Sequence, residues 1–147
     1  MEQQSREEFL VRINWSRVVF GGVFAGLIIN LFQIFWSGIV LGRQWQAAMH
    51  SLHRSSPRGA VWIFLLDSFA IGIAAMWLYA AVRTRFGPGP RTAVATGFAY
   101  WIIGCALPDI GIAQTGVFPL RLLVLTNLGA LGILVLATLV GASFYRE

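Results

Sequence analysis

The chain has 147 residues, room for one domain, and 57% of them are hydrophobic. That share exceeds the rough half of soluble domains, and the 12% that are charged gather in clusters between long uncharged runs. The net charge of +5 rests on Arg alone, dispersed at the ends of the apolar runs; this fits a membrane protein and argues against one basic nucleic-acid patch.

Residues 1–14 are polar, with Phe9, Leu10 and Ile13 on one side of a short helical pattern. That stretch suits an amphipathic lead-in at a membrane surface, or a frayed tail. Glu2, Glu7 and Glu8, and an apolar run too long for a signal core, argue against a cleaved signal, so the first span is expected to stay in the mature protein. Trp15 marks the water–lipid boundary.

Span one is expected from Val18 to Leu41, without a charge. At ~1.5 Å per residue it is long enough to cross a bilayer with some tilt. Gly22, Gly26, Asn30, Gln33 and Ser37 share one face. Phe24, Ile28, Leu31 and Phe35 form the other, so lipid belongs on one side and protein on the other. Gly22 and Gly26 are helix-packing residues that suit either contacts within the chain or a homodimer, and the sequence does not separate the two.

The connector from Gly42 to Gly59 carries Trp45, Ala48, Met49 and Leu52 at helical spacing, with Arg43, Gln46, His50, His53 and Arg54 opposite. It reads as a short interfacial helix ended by Ser55-Ser56-Pro57. His50 and His53 lack a nearby carboxylate, so they read as solvated polar residues and no metal site is expected.

Span two runs from Ala60 to Val82, uncharged apart from Asp67, and is closed by Arg83 and Arg85. Gly87-Pro88-Gly89-Pro90 then makes a tight turn, so spans two and three are antiparallel neighbours. Span three runs from Thr92 to about Ile112. Pro108 removes one backbone donor and frees the carbonyl of Gly104, so a kink or an early helix end is expected there. Cys105, the single cysteine, excludes an intrachain disulfide and reads as an inert packing residue. Span four runs from Leu120 to about Phe144.

The expected fold is all-α: an integral membrane four-helix bundle of up-down topology in a single domain, residues 1–147, with the lipid bilayer as its partner. Arg6, Arg12, Arg17, Arg83, Arg85, Arg91 and Arg146 fall on one side, against Arg43, Arg54, Arg58 and Arg121 on the other. The positive-inside bias then puts both termini in the cytoplasm.

On that topology Gln33, Asp67 and Asn127 fall at nearly one level, roughly 10–12 Å below the outer surface, with Asp109 shallower and Asn30 deeper. Polar side chains are costly in lipid, so all five are expected to face the bundle interior. Small-residue stripes agree: Asn127, Ala130, Leu134, Ala137 and Gly141 on span four, and Asp67, Ala70, Ala74 and Ala81 on span two. Two roles compete for this candidate polar cluster. It lines a cavity with Asp67 as proton or cation site, or it is hydrogen-bonding glue between helices. Trp36 and Tyr100 read as packing residues whose polar tips find partners.

There is no Gly-x-Ser-x-Gly elbow, Walker loop, His-Glu-x-x-His or cysteine pair, and no cofactor or catalytic residue is assigned. Gly22-x-x-x-Gly26-x-x-x-Asn30, Trp45-x-x-Ala48-Met49 and the closing Gly141-Ala142-x-x-Tyr145-Arg146-Glu147 together resemble a group of small bacterial four-span membrane proteins. The resemblance covers about a third of the chain. It implies a four-span fold in the bacterial inner membrane and brings no activity. The leading expectation is a structural or accessory membrane protein. The alternative is a small proton- or cation-linked transporter or channel using Asp67, and a membrane-embedded enzyme stands third.

Overall fold

The structure is a computed structural model describing residues 13–54 and 59–145. Helix α1, Trp15–Gln33, begins before the expected Val18 because Asn14 caps it, its side chain accepting from Arg17 N at 3.2 Å. It runs on into a π-helical segment, Ile34–Val40. The segment closes with Leu41 N donating to Trp36 O at 2.8 Å, an i to i−5 bond.

Helix α2, Gly42–Ser51, lies between the first two spans. It stops short of the expected break, because the chain turns through Leu52 and through His53 at φ 51°. Ser55-Ser56-Pro57 lies outside the described residues, as do Phe9 and Leu10 of the lead-in. The apolar face of α2 folds back onto the bundle: Ala48 is buried with Leu41 and Leu122, and Trp45 meets Phe118 edge-on at 5.4 Å.

Helix α3, Ala60–Phe86, continues past Arg83 and Arg85 and ends at Gly87, whose φ of 81° only glycine adopts readily. Helix α4, Pro90–Trp101, takes Pro90 as its first residue. The missing N–H costs nothing there, so the expected four-residue turn shortens to Gly87-Pro88-Gly89. A second π-helical segment, Ile102–Ala106, leads into α5, Leu107–Gln114. Pro108 explains it: without its N–H the α ladder breaks, and Leu107 N reaches Ile102 O instead. The helix is re-wound at Pro108 rather than ended. Helix α6, Leu120–Phe144, completes the bundle.

Four helices are long and apolar enough to cross a bilayer: Trp15–Val40, Ala60–Phe86, Pro90–Gln114 and Leu120–Phe144. They pack as a ring in which α1 touches α3 and α6, α4 touches α6, and the α3–α4 side is thinner. Val18, Ala25, Ile29, Met76, Tyr79 and Ala137 fill the middle, while Phe20, Leu31, Ile63 and Leu128 stand exposed on the exterior.

The tightest seam is between α1 and α3. A Cβ at Gly22 would lie 2.5 Å from Ile73 Cα, one at Gly26 2.8 Å from Phe69 Cα, and one at Gly72 2.5 Å from Gly26 N. The two backbones therefore touch, and no side chain fits between them. This seam turns Ser68, Gly72, Ala75, Met76 and Tyr79 of α3 inward. The stripe expected on Asp67, Ala70 and Ala74 is displaced around the helix, and Ala70 is exposed. On α6, Leu134, Ala137 and Gly141 are buried.

Candidate functional site

Toward the α2 end, the four spans surround a cavity of about 300 Å³. Span one contributes Gln33, Trp36 and Ser37, and α3 contributes Asp67. Tyr100, Gly104 and Cys105 come from span three and Thr126 from α6. Ile29, Ile71, Ile133 and Leu134 close the apolar side. Asp67 reaches it because the glycine seam takes Ser68 and Gly72 for the α1 contact and leaves Asp67 at the edge of that face, exposed. No Arg or His is among the described lining residues, so one carboxylate sets the charge of the cavity.

Both π-helical segments form its walls, through Trp36 and Ser37 on one side and Gly104 and Cys105 on the other. Such insertions re-aim side chains and are frequent at functional sites. Trp36 is fixed across the bundle: its indole N–H donates to Leu125 O at 3.1 Å. The ring occupies the space Gly129 leaves open, where a Cβ would come 2.7 Å from Cε2 of Trp36. Thr126 lines the cavity, while its hydroxyl is buried with no hydrogen-bond partner among the described residues.

The five polar residues expected to cluster are distributed over three places. Gln33 and Asp67 share the cavity. Asn30 is buried in the α1–α3 seam, donating from Nδ2 to Leu65 O at 3.4 Å, and does not line it. Asp109 accepts a hydrogen bond from Asn127 Nδ2, and Trp101 Nε1 donates to Asn127 O at 2.9 Å. This pair ties α5 and α4 to α6 apart from the cavity. The extra residue in the π turn rotates everything after it around the helix axis, which brings Asp109 toward α6. Asp67 and Asp109 therefore stand in different places, one on the cavity wall and one in the bond to Asn127.

Trp36, Tyr100 and Cys105, which the sequence assigns to packing, all stand on the cavity wall. For Trp36 and Cys105 the signal was the π register, and no periodicity computed for a regular helix carries it. Among the described residues no group of three His, Cys, Asp or Glu is placed to share a metal ion.

At the opposite end Tyr145 joins several elements. Its hydroxyl accepts from Asn14 N at 3.3 Å and its carbonyl from Arg83 Nη1 at 3.2 Å. The Arg83 guanidinium sits 4.8 Å over the Tyr145 ring. Tyr79 meets that ring edge-on at 6.1 Å and accepts from Gly89 N at 3.3 Å, which connects the turn to the same knot.

The four apolar spans and lipid-suited exterior define an integral membrane protein with four spans. No family model, curated protein or solved structure matches the chain.

Proposed function

We propose that the protein is a small cation-linked transporter or channel in which Asp67 is the cation-binding carboxylate. One observation carries this reading: an intramembrane carboxylate lines a cavity large enough for a solute, between two π-helical walls. Lipid disfavours a carboxylate so strongly that one inside a span is a site candidate by default. The Arg distribution supports cytoplasmic termini, which opens the cavity toward the outer leaflet. The resemblance noted above supports the bacterial inner membrane as its location.

The test is flux. Purified protein in liposomes is given imposed proton, sodium or potassium gradients, and currents or dye signals are read. Asp67→Asn, which keeps the side-chain shape, is expected to abolish the cation-driven signal while the protein keeps its gel-filtration profile and helical circular dichroism. A wild-type signal no higher than that of empty liposomes overturns the reading.

A structural or accessory role is the second reading. The α1–α3 glycine seam and the Asp109–Asn127 bond favour it, because both hold helices together without using the cavity. It predicts no flux and a nearly neutral Asp67→Asn.

A further inference from the structure

We infer that the Asp67 cavity takes a small organic ammonium ion, a cation with an apolar body, in preference to a bare inorganic cation. The inference rests on the reading of Asp67 as a cation site and names the class of its ligand.

Size is the first argument. A water molecule occupies about 30 Å³ of liquid, so a cavity of about 300 Å³ holds roughly ten of them. A proton or a bare alkali ion uses a small part of that space. Divalent inorganic cations favour several carboxylates converging on one point, and Asp67 is the one carboxylate on the described lining, beside the neutral oxygens of Gln33, Ser37 and Tyr100.

The lining is the second argument. Ile29, Ile71, Ile133 and Leu134 make an apolar surface that a hydrated ion has no use for. Trp36 and Tyr100 add aromatic rings, which attract ammonium groups, and Trp36 is held in place by its bond to Leu125 O. The carboxylate of Asp67 lines the same cleft, whose low-dielectric walls concentrate its field. One negative charge, two aromatic rings and an apolar wall together match one positive charge on a hydrocarbon frame.

The test uses Cys105, the chain's single cysteine, as a reporter on the cavity wall. Full-length protein in nanodiscs is labelled with N-ethylmaleimide and the adduct is followed by mass spectrometry. Choline serves as the probe, 3,3-dimethylbutan-1-ol as its neutral isostere, and potassium chloride as the inorganic control. Choline is expected to slow labelling saturably, and the isostere and the potassium salt are expected to leave the rate unchanged. Asp67→Asn is expected to weaken protection about tenfold or more, the scale of one lost ionic contact, with the unprotected labelling rate kept. Scintillation-proximity binding of radiolabelled choline gives the same comparison without the thiol.

Equal protection by the isostere or by potassium overturns the proposal. So does the absence of both protection and binding with choline and with the larger benzyltrimethylammonium. If none of these ammonium ions binds while an inorganic flux still depends on Asp67, the ligand class is wrong and the cation site stands. If neither flux nor protection depends on Asp67, both fall.

Discussion

Trp36 and Gly129 show how one side chain is placed by the absence of another. The indole fills the volume that a glycine leaves on the neighbouring helix and donates to Leu125 O one turn before it. Gly129→Ala is expected to push the ring out, at a cost of about 1–3 kcal/mol for overpacking and the lost hydrogen bond. Trp36→Leu in the same background is expected to recover part of that loss, so the double-mutant cycle measured by denaturant titration in detergent should be strongly non-additive. Nothing in the sequence pairs these residues, because 93 positions separate them and each looks ordinary in its own helix.

Helices carry the next lesson. The spans, their order and the short α2 were legible in the sequence, because hydropathy, Pro and Gly all act locally. The rotation of each span about its axis was only partly legible. On α6 the small-residue stripe is the buried one, whereas on α3 the close approach of Gly72 to α1 selects a neighbouring face and leaves Ala70 exposed. Gly72→Ala is expected to force α1 and α3 apart and to destabilise the bundle by about 1–3 kcal/mol, read as a lower thermal midpoint in detergent.

Pro108 was visible as a disturbance, but the form of that disturbance was not: the helix widens into a π turn and carries on. Pro108→Ala restores the missing donor. It is expected to favour regular α winding, turn Asp109 away from Asn127 and change the labelling rate of Cys105. A rate within twofold of wild type by mass spectrometry would contradict this coupling.

The candidate site was legible in its residue types more than in its membership. Lipid's rejection of polar groups singles out Asn30, Gln33, Asp67, Asp109 and Asn127, yet depth alone cannot say which of them meet. That depends on helix rotation, and rotation depends on the glycine contacts of the α1–α3 seam and on the π registers.

At the scale of the whole molecule, one thiol on a cavity near the α2 end of the bundle makes orientation measurable. The proposed topology, both termini cytoplasmic, predicts that a membrane-impermeant maleimide added outside right-side-out vesicles reaches Cys105 and that pre-treatment from the lumen leaves it free. The opposite pattern would reverse the topology that the Arg count supports.

The two ends of the bundle are also built differently. Tyr145 collects Asn14, Arg83 and Tyr79 at one end. At the other, Val61, Trp62, Ile63 and Phe64 are all exposed, and neither α5 nor either π segment buries a residue. Tyr145 thus pins the start of α1 to the end of α3, whereas the first turn of α3 stands out on the lipid-facing surface. Amide protons near Tyr145 should outlast those in the first turn of α3 in deuterated buffer, and a ligand entering the cavity should lengthen the lifetimes flanking Asp67 first.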